Sequence, residues 1–131
     1  MNEEVAGPAP SQRLAELGLT LPPVAAPLAA YIPAIASAGQ VLTSGQLPTV
    51  QGALVATGKV GADVTVEQAT QAARVAVLNA LAAAASEVGG IDNIRRVVRM
   101  VVFVAGTPDF TAQPQVANGA SELLGEIFGP L

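Results

Sequence analysis

The chain contains no cysteine and no histidine, and those two gaps remove much of the usual catalytic repertoire. Disulfides, a thiolate nucleophile, a Ser-His triad and a His-based zinc site are excluded. Any catalysis must run on carboxylates, Arg, Lys, Tyr, hydroxyls, backbone amides or a bound water. Tryptophan is missing too, and 131 residues hold one Tyr and three Phe. The core must therefore come from Ala, Val and Leu, which exclude water only if their elements approach closely. Charge is scarce: 12% of residues are charged against 51% hydrophobic. That balance is too apolar for a disordered chain. On one domain of this length it also implies surface hidden in a subunit interface. A net charge of −4 argues against a nucleic-acid partner, because phosphate binding rests on basic patches. Gly, Pro, Gln or charge interrupts every apolar run before the ~20 residues of a membrane span, so no membrane partner is expected. The opening "MNEEVAGPAPSQ" has neither the basic n-region nor the apolar h-region of a secretory signal. A cytoplasmic protein is the expectation.

What is present divides into punctuated segments. Residues 1–27 read as a mobile N-terminal arm, with "RLAELGL" as a helical turn ended by Gly18 and "LPPVAAP" as extended chain. This part is expected to lie outside the core. "YIPAIA" from Tyr31 reads as an edge strand, since Pro33 cannot donate to a ladder. A "SAG" turn and the strand Gln40 to Ser44 then complete a hairpin. A short third strand is expected around Ala53 to Ala56. Thr65 and Gln68 have capping-box spacing, with Glu67 in the first turn. The Pro- and Gly-free run Val66 to Val88 predicts a long helix stopped by Gly89 and Gly90. "RRVVRMVVFV", Arg95 to Val104, reads as a buried central strand. Alternation sends Arg95 and Arg99 to one face and Arg96 to the other. A second helix is expected from Gln115 to Phe128, with Val116, Leu123, Leu124, Ile127 and Phe128 inward. The order predicts an α+β fold, a mixed sheet with two helices packed on one face.

Several side chains could carry chemistry, and each has a plainer reading. In "VLTSGQLP" the strand ends on the hydroxyls of Thr43 and Ser44, then Gly45 allows close approach and Gln46 offers a donor and an acceptor. From this stretch alone, a turn satisfying its own polar groups is the favoured reading. Lys59, between two glycines, lacks P-loop spacing and reads as a flexible loop. Arg95, Arg96 and Arg99 have no interleaved aromatics and read as structural or interface arginines. Glu122 and Glu126, stacked at i,i+4, read as a solvated helix face. Asp109 and Asn118 read as turn and capping residues at a helix start.

Together "AAYIPAI", "VLTSGQLP", "TGKVG", "VLNAL", "RVVRMVVFV" and "TPDF…VANGASELLGEIFG" resemble the RidA/YjgF/endoribonuclease L-PSP family over residues 28–129. "RLAELGLTLPPV" looks like a longer, actinobacterial-type branch. The resemblance implies a chorismate-mutase-like fold that forms a homotrimer, with a cleft at each subunit interface. It further implies hydrolysis of reactive 2-aminoacrylate-type enamines and imines to 2-keto acids and ammonia, with no metal or organic cofactor. The substrate would be a small carboxylate-bearing metabolite. Carried over residue by residue, the cleft holds Tyr31, Ser44, Gly45 and Asn118, with Phe110 packed nearby and Thr43 and Gln46 in support. Deaminating members also use an arginine clamp on the substrate carboxylate and a glutamate that positions water, both on later strands. This sequence reaches Gly129, Pro130 and Leu131 with no match to either. The resemblance thus implies a longer natural chain, or, if 131 residues are all, very weak or absent deaminase activity. A non-catalytic trimer that binds small carboxylates is the alternative.

Overall fold

A computed structural model describes residues 7–27 and 29–130. Three helices, α1 (Pro10–Glu16), α2 (Val66–Val88) and α3 (Gln113–Phe128), accompany four short strands. These are β1 (Ala34–Ser37), β2 (Gln40–Thr43), β3 (Thr49–Val50) and β4 (Ala53–Leu54). Helix α2 runs over the predicted bounds because both ends are written locally. Gln68 N–H donates to Thr65 Oγ1 at 3.1 Å and Thr65 N–H donates to Gln68 Oε1 at 2.9 Å. Gly89 ends the helix in the left-handed region, φ 84°, where a Cβ would be strained. Helix α3 begins two residues before its expected start, with Pro114 in its first turn, a position that needs no amide donor.

The strands form two two-stranded antiparallel hairpins, β1–β2 and β3–β4. Each closes on a two-residue turn with both central residues at positive φ: Ala38 and Gly39 in the first, Gln51 and Gly52 in the second. Such turns match the right-handed twist of the flanking strands. β1 starts at Ala34 rather than Tyr31, and β3 was not foreseen. Pairing becomes mixed only at Val60, which makes parallel bridges to Val64 and Gly106. The segment 95–105 differs from the expected central strand: it makes no ladder with any described residue. Its Met100, Val102 and Val104 pack against the core while Val101 and Phe103 face out. Upstream the alternation slips: Val97 turns inward, and Arg95, Arg96 and Arg99 are all exposed.

The core lies between α2 and α3. Ala69, Ala73, Val77, Leu81 and Ala85 follow one another at i+4 down α2 and meet Val116, Ala120, Leu123, Leu124 and Ile127. Small residues let the helices close on each other, as the aromatic-poor composition requires. The leader segment, expected outside the core, contributes Leu14, only 5% exposed. Helix α1 packs on α3 and on the 3₁₀ turn Ile91–Asn93, while α2 alone carries the β1–β2 hairpin. No helix among the described residues is long and apolar enough to cross a membrane.

Candidate functional site

At the open end of the first hairpin the ladder runs one residue past the named strands. Ser44 N–H donates to Pro33 O at 2.9 Å, and Ser44 Oγ donates to the same carbonyl at 3.2 Å. Pro33 can supply this acceptor without needing a donor partner, which is why a proline is tolerated here. Gln46 Nε2 reaches Ser44 Oγ at 3.4 Å. The hydroxyl is therefore held from both sides, with its oxygen at the strand end. Gly45 follows with open space where a Cβ would stand, and no described residue accepts a hydrogen bond from the Gly45 or Gln46 amide. A fixed hydroxyl beside an unblocked glycine can offer a hydrogen bond to a small polar ligand.

Tyr31 lies in the bent segment three residues before β1. The Tyr31 side chain is 46% exposed, and the exposed Ile32, Ile35, Leu42 and Leu47 surround this end with apolar surface. Ser44 and Gly45 therefore stand together at the strand end, with Tyr31 on the segment that leads into the partner strand. Thr43 is exposed as the last residue of β2.

Phe110 lies in the turn before α3 and Asn118 on α3 itself. Phe110 closes the turn begun at Thr107, its N–H donating to Thr107 O at 3.0 Å. Its ring lies so near Gly106 that a Cβ there would stand 2.8 Å from Cδ1. Asn118 is exposed in the second turn of α3 rather than at its start, where Ala112 takes the cap position. Helix α3 makes no contact with the β1–β2 hairpin. Within one chain Asn118 therefore stands apart from the β1–β2 hairpin. Lys59, Asp109, Glu122 and Glu126 are exposed, and among the described residues no three acidic side chains gather as a metal site would need.

One residue of the site region escaped the sequence reading. Asn79, on α2, is 3% exposed, and its Nδ2 donates to Leu47 O at 2.9 Å and Thr49 O at 3.0 Å. The available signal was an amide inside an otherwise apolar stretch, "VLNALAAAA", since a buried polar side chain must have partners.

Comparisons with known proteins agree with this architecture. Residues 11–131 match the family described as YjgF/chorismate mutase-like, putative endoribonuclease. Protein TCP17 of Trypanosoma cruzi is 40% identical over 116 residues, spanning 88% of this chain and 72% of that protein. The crystal structure of a putative endoribonuclease from Shewanella oneidensis superposes with a TM-score of 0.85 at 40% identity, covering 93% of this chain and 81% of that one. Atu1372 of Agrobacterium tumefaciens, a protein of unknown function, follows at 0.81 and 39%, covering 92% and 73%. With its hairpins, its paired helices and its Ser-Gly strand end, the chain belongs to the YjgF/chorismate-mutase-like family.

Proposed function

We propose that this protein hydrolyses reactive enamine or imine intermediates to 2-keto acids and ammonia, without metal or organic cofactor, at clefts between the subunits of a homotrimer. The observation that carries the reading is the Ser44 strand end. Its hydroxyl is fixed between Pro33 O and Gln46 Nε2, beside the unblocked Gly45, and the Tyr31 phenol on the preceding segment is exposed. An iminium carbon is already electrophilic, so the protein has only to orient a small anionic substrate and admit one water. A hydroxyl and a phenol can do both by hydrogen bonding. The separation of Asn118, on α3, from the β1–β2 hairpin within one chain supports a cleft completed by a second copy.

The second reading is a trimer that binds small carboxylates without turning them over. It is favoured by the neutral character of the strand end, where every hydrogen bond joins uncharged groups. The deciding experiment supplies an enamine generated in place by a PLP-dependent lyase and follows 2-keto acid and ammonia release. Release faster than the buffer reaction, cut about tenfold or more by Ser44→Ala and by Tyr31→Phe, supports the hydrolase. No acceleration, together with a pyruvate-dependent rise in Tm, favours the binding protein.

A further inference from the structure

We propose that Asn79 is a positioning residue for this strand end: from the buried side of α2 it fixes the Leu47–Thr49 backbone and thereby sets where Ser44 and Gly45 stand. The inference deepens the hydrolase reading and rests on it for its turnover measurement only.

Helix α2 is the rigid body to which the hairpins are attached, 23 residues long and capped at both ends. Its Ala73–Val77–Leu81 stripe is committed to α3. Asn79 stands two residues beyond Val77, about 200° around the helix, on the side that carries β1, β2 and β3. Its neighbours along the helix are Leu78, Ala80, Leu81 and a run of alanines, so packing alone gives no reason for an amide at 3% exposure. Both hydrogens of its Nδ2 are used, one on Leu47 O at 2.9 Å and one on Thr49 O at 3.0 Å, with Thr49 Oγ1 at 3.5 Å. Two carbonyl partners require the NH2 group, not Oδ1, to face the loop.

The remaining hydrogen bonds of this loop are internal. Thr49 N–H donates to Leu47 O and Val55 N–H to Pro48 O, each at 2.9 Å. These shape the loop and leave its position on α2 to Asn79. Leu47 follows Gln46, whose amide touches the Ser44 hydroxyl at 3.4 Å. The path from helix to hydroxyl is thus four residues of backbone, anchored at Asn79 on one end and at Pro33 O on the other. Without the Nδ2 donors, the Thr49 carbonyl loses its partner and Leu47 O keeps only the Thr49 N–H, so the loop is no longer tied to α2 and lifts toward water. Small displacements of this kind cost rate more than fold, because orientation within about 1 Å governs turnover.

The test compares wild type, Asn79→Leu and Asn79→Asp in the full chain. Leucine keeps the volume and removes the donors, whereas aspartate sets oxygen against oxygen. Asn93→Ala is the control: it deletes a similar amide-to-carbonyl bond, Nδ2 to Val88 O at 2.9 Å, at the far end of α2. Amide hydrogen exchange is followed at residues 44–55 and within α2, and turnover is measured at a temperature where every variant is folded. We expect exchange at 44–55 to rise roughly tenfold or more in both Asn79 variants while α2 stays protected. Turnover should fall roughly tenfold, mostly in kcat, and Asn93→Ala should change neither. Unchanged exchange at 44–55 overturns the inference whatever the turnover, and so does faster exchange with wild-type turnover. If wild type shows no turnover, the hydrolase reading fails on its own, and pyruvate binding replaces it as the readout. A roughly tenfold loss of pyruvate affinity in Asn79→Leu then sustains the role of Asn79, and equal affinity removes it.

Discussion

Asp92 shows how much one side chain can do that its sequence neighbours do not announce. It sits on the 3₁₀ turn after α2 and accepts two hydrogen bonds from Ser11, from the N–H at 2.8 Å and from Oγ–H at 2.6 Å. Ser11 is the second residue of α1, where backbone donors lack intrahelical partners, and Ala9 provides no side-chain cap. Asp92 therefore caps α1 from 81 residues away. The Ser11 hydroxyl, and after it the Ser11 amide, favours the ionised form and holds the Asp92 carboxyl below its ordinary value. A lowered folded-state value means the contribution is fully present above the unfolded carboxylate pKa of about 4. It is lost as pH falls through the folded value. Docking of α1 should thus weaken below about pH 4, and Asp92→Ala should reproduce the effect at neutral pH. Trypsin cleavage after Arg13, which lies in α1, reads this directly: faster cutting in Asp92→Ala than in wild type is expected, and equal rates would contradict it. Neither this cap nor the Asn79 clamp was legible in the sequence, because each joins residues 30 or more positions apart and hydrogen-bonding residues carry no periodicity.

Elements were legible where their causes are local and obscure where they are not. Helix α2 matched its predicted bounds because Thr65, Gln68 and Gly89 encode its ends, and the inward residues of α3 followed from period alone. The strand end at Ser44 and its pairing with the proline-bearing strand were readable for the same reason. The lack of a ladder at residues 95–105 was not, since an apolar run shows that a segment is extended and half-buried but not whether another strand meets it. The helix crossing is another non-local feature. A Cβ at Gly119 would collide with the Thr70 carbonyl oxygen of α2, whereas one at Gly125, later on the same helix, meets nothing. Gly119→Ala should therefore push α3 off α2 and cost about 1–3 kcal/mol. Gly125→Ala should stabilise by about 0.5–1 kcal/mol through helix propensity alone. Thermal unfolding decides between them: Tm should fall by several degrees in the first variant and rise in the second. Equal shifts of one sign would mean that the α2–α3 approach is not the constraint described.

At the scale of the molecule, the helices satisfy one another and the hairpins do not. Leu123 and Ile127 are almost fully buried, whereas Ile35, Leu42, Val50, Leu54, Val98 and Val101 are exposed. Phe103 is 93% exposed. So much apolar surface on a domain with 12% charged residues exceeds what a monomer commonly carries, which is the physical argument for the proposed trimer. Phe103 tests it sharply, because its ring makes almost no contact within the chain. Phe103→Asp should cost the isolated protomer only a few tenths of a kcal/mol, as surface changes usually do. In an assembly that buries the ring, the same substitution places an unpaired carboxylate against apolar surface and should disrupt it. Native mass spectrometry is expected to give three times the 13.1 kDa chain mass for wild type. A single chain is expected for the variant, with unchanged helical circular dichroism. If the variant assembles as wild type does, Phe103 lies outside the subunit contact. A wild-type protein that stays monomeric would leave Asn118 and Ser44 apart and remove the inter-subunit cleft from the proposed mechanism.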